Sequence, residues 1–306
     1  MSATWGATTW PAAVSERSAS LLAAPARAAT VLAAFPQALY LRLPDDVAPD
    51  DRAPDDRAPS DRVLPVVSVS GLRLPTAMVL ATDLPTVGWG VQPGDDVAVG
   101  DGEVHLPQVR IRGVRLWRPA QVPCADRPLD PGAVRALTAL ASPTPVEAAR
   151  SLVTTVLAGQ DVTRQVSVIV GAGPGLTPSG DDVLCGALIA LRLGGASEAR
   201  ARLWSAVTPR LGSTTSLSAA LLAEAADGYA VPAVVRLAAA LAGGTDTARE
   251  VGPAAREVLG VGHTSGADLL SGLSGGLVAL RCDRTSAQMH TPVLQPFSTA
   301  NAGVRP

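Results

Sequence analysis

The stretch QPGDDVAVGDGEVHLPQVRIRGVRLW, residues 92–117, divides short Val- and Ile-rich runs with turn residues. Val109 and Ile111 alternate with Arg110 and Arg112, as a half-buried strand requires, while Pro93-Gly94 and Gly100-Asp101-Gly102 supply turn chemistry. Gly113 shifts the alternation, the mark of a bulge. The same texture runs back through PVVSVSG (65–71) and TAMVLATDL (76–84), so Val63–Pro119 reads as a small antiparallel β-domain or barrel. His105 lies inside it with no partner nearby and is read as structural. Upstream, residues 20–43 are Ala- and Leu-rich but broken by Pro25 and Pro36, which gives short strands or one short helix. Between Asp45 and Arg62 the unit DDRAP occurs twice in tandem, at 50–54 and 55–59. A polar, Pro-punctuated repeat has no apolar face to bury and reads as a disordered surface insertion.

Beyond a loop containing Cys124, Pro128 and Pro131 the period changes. Val134–Leu140, Val146–Leu157, Val183–Leu193, Ser218–Ala226, Val231–Leu241, Ala248–Leu259 and Ala267–Leu280 show helical spacing with good helix formers. Asp130-Pro131 and Pro145 are helix-start signals. The predicted fold is α+β. A small antiparallel β-rich N-terminal domain (1–125, insertion at 45–62) precedes a mainly helical C-terminal domain (126–284) with an internal loop-helix repeat, then a flexible tail (285–306).

Composition excludes several function classes. All 25 positive charges of the 306 residues are arginine, and Asn occurs only as Asn301, a pattern of GC-rich coding. With no lysine there is no P-loop of the usual form, no kinase-type lysine and no lysine Schiff base. A net charge of −2 and 3% aromatics argue against a nucleic-acid partner, which needs a basic face and stacking platforms. Cys124, Cys185 and Cys282 are odd in number and widely spaced, so neither a disulfide framework nor a zinc site is indicated. Without a signal-like start or a run of 18 apolar residues, a cytoplasmic protein with no membrane partner is expected.

The chemistry concentrates in GAGPGLTPSGDD, Gly171–Asp182, directly before a helix. Glycines let backbone amides approach a ligand, and a helix N-terminus favours anions. A second copy lies at Thr264–Gly272. The two share S-G-x-D-x-L-x-G through Ser179/Ser265, Gly180/Gly266, Asp182/Asp268, Leu184/Leu270 and Gly186/Gly272. The repeat implies two loop-to-helix units related by a pseudo-twofold axis. Capping alone would explain the Ser, Gly and Asp, with Asp181 or Asp182 as N-cap. It leaves unexplained the GAGPG of the first copy and His263 before the second. The functional reading is one composite pocket. Its substrate-binding set is Gly173, Gly175, Thr177, Ser179, Gly180 and Asp181 from the first loop, and Thr264, Ser265 and Gly266 from the second. Thr214, Thr215 and Ser218 join it from a third polar cluster. Asp182, Asp268 and His263 are the candidate catalytic groups, binding an amine or amide nitrogen or moving its proton. The residues single out no particular cofactor, and Asp181, Asp182 and Asp268 could take Mg²⁺. Carboxylates repel a bare anion, so the ligand should be zwitterionic, carry an N–H donor or arrive with a metal. Cys185 reads as core rather than nucleophile.

Gly173–Asp182, Thr214–Ser218 with Ala226–Gly228, and Gly262–Gly272 together resemble the AllH family, a subunit of oxamate carbamoyltransferase. The resemblance covers roughly residues 150–282. It departs where an acidic residue would follow the A-x-G helix, since this chain has Val231-Pro232. The resemblance implies carbamoyl transfer between carbamoyl phosphate and oxamate, run from oxalurate and phosphate in allantoin and purine breakdown. It also implies partner subunits and a small anionic substrate such as carbamoyl phosphate, oxamate, oxalurate or phosphate. The alternative is a non-catalytic ligand-binding or scaffolding subunit of a multi-protein complex.

Overall fold

A computed structural model describes residues 8–44, 62–243 and 247–289. The DDRAP repeat and the segment after residue 289 lie outside the described residues.

The strands are β1 (Thr8–Ser15), β2 (Arg27–Phe35), β3 (Ala38–Leu43), β4 (Arg62–Val67), β5 (Met78–Leu80), β6 (Asp96–Gly100), β7 (Glu103–His105) and β8 (Val109–Trp117). They close into a barrel in the order β1-β5-β4-β3-β2-β6-β7-β8. This corrects the expected fold class of a small antiparallel domain standing apart from a helical one. The barrel is closed, and two of its pairings are parallel, β1 with β8 and β4 with β5. Local periodicity carries no information about a pairing between Thr8 and Val109, and Pro11 disguises β1, because a proline inside a short run argues against a strand. The bulge read at Gly113 is present. The β1–β8 register steps from Ala12 opposite Gly113 to Ala13 opposite Arg115, leaving Val114 as the extra residue. Leu39, Leu41, Leu64, Met78, Val99 and Ile111 fill the barrel interior, as expected for eight strands.

The helices are α1 (Ala19–Ala23), α2 (Pro131–Thr138), α3 (Pro143–Leu157), α4 (Thr163–Ile169), α5 (Ser179–Leu193), α6 (Ser197–Val207), α7 (Ser216–Ala226), α8 (Pro232–Ala242), α9 (Thr247–Leu259) and α10 (Ser265–Met289), with a 3₁₀ turn at Thr208–Ser213. The Asp130-Pro131 start signal works as read. The Asp130 carboxylate accepts from the Gly132 and Ala133 amides at 3.0 Å, and Pro131 opens α2. The last helix continues to Met289, beyond the point where a tail was expected. No described helix is long and apolar enough to cross a membrane.

The core of the helical layer extends without a break onto the outer side of the barrel. One continuous buried cluster joins Ala38, Val63, Val67, Leu74 and Ala77 on the barrel side to Leu184, Ile189 and Leu217 among the helices. Aromatics are scarce, so this seam is built from small aliphatic side chains, and close approach replaces ring packing. An ion pair pins it. Arg17, just after β1, donates from Nε and Nη2 to the two Glu224 carboxylate oxygens at 2.9 Å and to Asp227 at 2.5 Å, and lies 4.4 Å over the Tyr229 ring. Glu224 is only 8% exposed. Burial pushes its carboxyl up while Arg17 holds it down, and the net direction is up.

Removing Arg17 would leave a buried carboxylate without its counterion, which costs about 3 kcal/mol. Arg17→Ala should therefore lower unfolding free energy by about that amount in urea titrations at pH 8. The loss should shrink at pH 5, because protonation of Glu224 relieves the unpaired charge there.

Candidate functional site

The two S-G-x-D units, each running from a helix through a loop into the next helix, are built alike. Gly180 donates its amide to Ala172 at 2.9 Å, and Gly266 donates to Val261 at 2.9 Å. A Cβ at Gly180 would collide with the Ile169 carbonyl, and one at Gly266 with the Val258 carbonyl. The second glycine of each motif faces the other helix. Gly186 on α5 abuts Leu269 and Leu273 of α10, and Gly272 on α10 abuts Val183 of α5. Leu184 and Leu270 are fully buried. Both glycines and the leucine of S-G-x-D-x-L-x-G are thus packing positions.

Adjacent aspartates in the first copy divide the work. Asp181, fully buried, accepts from the Gly171 amide at 2.9 Å, from Ser218 Oγ at 2.7 Å and from Thr214 Oγ1. It ties the loop, the 3₁₀ turn and α7 into one unit. Thr215 adds a second tie, donating to the Leu176 carbonyl at 2.5 Å while accepting from the Ser218 amide at 3.0 Å as the N-cap of α7. Three of the expected ligand contacts, Thr214, Thr215 and Ser218, are thereby engaged with protein atoms.

Asp182 faces the other way, lining a cavity of about 640 Å³ between the barrel and the helices. It is 5% exposed, and its Oδ2 is buried with no hydrogen-bond partner. Burial is the main reason its carboxyl is pushed up to about 7. The Ser265 and Thr177 hydroxyls oppose that rise, and the charges of Asp268 and Asp181 add to it. Thr177 and Ser265, one from each copy, hydrogen-bond each other at 2.8 Å beside it. The two loops therefore do meet at one place.

The cavity gathers Gly175, Thr177, Asp182, His263, Thr264 and Ser265 of the residues expected from sequence. Gly173, Ser179, Gly180, Asp181, Thr214, Thr215, Ser218, Gly266 and Asp268 do not line it. Asp268 is half-buried, and its charge reaches Asp182 without sharing the wall. For a Mg²⁺ site the three aspartates would have to converge, yet Asp181 is committed to Gly171, Thr214 and Ser218. Among the described residues no three His, Cys, Asp or Glu side chains form a metal cluster. Cys185 lines the same cavity, but burial pushes its thiol well up, which disfavours the thiolate a nucleophile needs.

The rest of the wall was not foreseen. Phe35, Tyr40 and Leu74 come from the barrel side, and Leu217, Leu221 and Glu224 from one face of α7. Glu224 had a signal, since it is the one charge in the otherwise apolar and small-residue helix SLSAALLAEAA.

The class is that of a closed eight-stranded barrel backed by a helical layer, with a cavity between them where the two S-G-x-D loops meet. Residues 169–277 match the family model described as oxamate carbamoyltransferase subunit AllH. That span holds both copies of the motif, the segment on which the resemblance was read. No solved structure matches the chain.

Opposite outcomes are expected for the two aspartates. Asp181→Ala strips three donors of a buried charged acceptor and should destabilise by about 3 kcal/mol. Asp182 is different, because a carboxyl raised from its unfolded value to about 7 loses stability as pH rises between those values, and the loss is complete above pH 7. Asp182→Asn should therefore stabilise at pH 8, by on the order of 2 kcal/mol, and gain little at pH 4. Chemical denaturation at the two pH values measures both.

Proposed function

We propose that this chain is a subunit of a carbamoyl-transferring complex resembling oxamate carbamoyltransferase, and that Asp182 receives the nitrogen that gains or loses the carbamoyl group. The observation that carries this reading is a buried carboxyl at the junction of the two loops whose Oδ2 has no hydrogen-bond partner. A substrate N–H is what such an acceptor lacks.

In the carbamoylating direction the amide nitrogen attacks the carbonyl carbon of carbamoyl phosphate. A C–N bond forms, the C–O bond to phosphate breaks, and phosphate leaves with the electron pair. The nitrogen's proton passes to Asp182, whose pKa near 7 lets it accept the proton and release it at neutral pH. Thr177 and Ser265 orient that carboxyl, and His263 and Thr264 sit on the same wall to assist. An acyl phosphate is already activated, so positioning suffices without a covalent intermediate. Asp268 contributes through its charge, by keeping Asp182 basic.

The anionic end of the reaction needs other support. Among the described residues no arginine lines the cavity. Exposed Gly173 and Gly175 offer loop amides, and a partner subunit supplies the remaining positive charge. A place in allantoin-derived purine breakdown belongs to the same reading.

In the reconstituted complex, Asp182→Asn should lower kcat at least 100-fold with a native melting profile, the range for loss of a general base. Asp268→Asn should have a smaller effect and shift the acid limb of the pH–rate profile downward. Full activity in both variants would assign the loops to capping alone, and with them the chain to a scaffolding role.

A further inference from the structure

The cavity is a poor match to oxamate itself. Liquid water takes about 30 Å³ per molecule, so the space would hold roughly twenty water-sized groups, several times the bulk of a two-carbon amide acid. Its walls are apolar over most of their extent, with Phe35, Tyr40 and Leu74 on the barrel side, Leu217 and Leu221 on α7, and Ile189 on α5. Glu224, the other carboxyl on the wall, stands six residues beyond Ser218, about 9 Å further along α7 by helical rise. Arg17 occupies both of its oxygens. Asp182 is the carboxyl on the wall left without a cationic side chain against it, and among the described residues no arginine lines the cavity to receive a carboxylate.

We propose that this cavity binds a ligand with an N–H-bearing end, a carboxamide or an ammonium, seated on Asp182, and a hydrocarbon body lying between α7 and the barrel. The inference rests on Asp182 as the nitrogen-binding group, as proposed above, and replaces oxamate's carboxylate end with an apolar one. A charged carboxylate in this space would lose its hydration and would face the Asp182 charge with no arginine among the described lining residues to offset it. An aliphatic chain would bury apolar surface on every wall.

The test uses the full-length chain at pH 8 in titration calorimetry with four probes: hexanamide, hexylammonium, hexanoate and oxamate. Hexanamide or hexylammonium should bind at least tenfold more tightly than hexanoate and oxamate. The tighter of the two identifies the end group as neutral or cationic. Leu221→Trp, which fills the apolar part of the cavity, and Asp182→Leu, which removes the anchor, should each weaken that binding at least tenfold. Asp182→Leu keeps the experiment decisive should the tryptophan variant fold poorly. Equal binding of hexanoate, no binding of either N–H probe, or affinity unchanged in both variants would overturn the proposal. The two readings fail separately. Asp182-dependent transfer to oxamate without probe binding would leave carbamoyl transfer standing and remove the apolar ligand. Probe binding without Asp182-dependent transfer would do the reverse.

Discussion

The reciprocal crossing of α5 and α10 is the contact on which the remaining structure depends. Gly186 lets the backbone of α10 approach α5, and Gly272 lets α5 approach α10, with no side chain between them on either side. Backbones this close leave little freedom in crossing geometry, because interdigitation with such short side chains has few solutions. The N-termini of both helices are consequently held side by side. Thr177 and Ser265 are then near enough to bond, and Asp182 has a hydroxyl from each loop beside it. A further glycine on α10, Gly275, accommodates the Val146 carbonyl and brings α3 against the same helix.

Around that crossing, similar residues serve unlike ends. Asp181 and Asp182 are neighbours in sequence and both are buried, yet successive helical side chains diverge by about 100°. One carboxylate therefore meets three donors and the other meets a cavity. The first makes the loop rigid. The second retains an unmet hydrogen-bonding need at Oδ2 beside a cavity, a local conflict characteristic of sites rather than scaffolds.

Much of this was legible in the sequence, for identifiable reasons. The repeat S-G-x-D-x-L-x-G is a packing constraint written twice, so it showed as a pattern before any partner was known. Alternation in β8 and the turn at Gly100-Asp101-Gly102 are local and were equally plain. What escaped was non-local. Barrel closure depends on β1 meeting β8, and neither strand carries a mark of the other. The cavity wall is assembled from β2, β3, the segment after β4, α5 and α7, whose apolar residues look like any others in a chain that is 47% hydrophobic. Thr214, Thr215 and Ser218 have the composition of a binding cluster, and only their distances to Asp181, Leu176 and the α7 amides show them to be fasteners.

The parallel pairing of β1 with β8 also sets an order of events. A chain emerging from its N-terminus cannot close the barrel until Trp117 is available, and Arg17 cannot find Glu224 until α7 has formed, more than 200 residues later. Contacts of such long sequence separation are slow to form and leave β1 waiting with unpaired edges. The N-terminal strand is thus a place where folding and aggregation compete until β8 arrives to close the barrel.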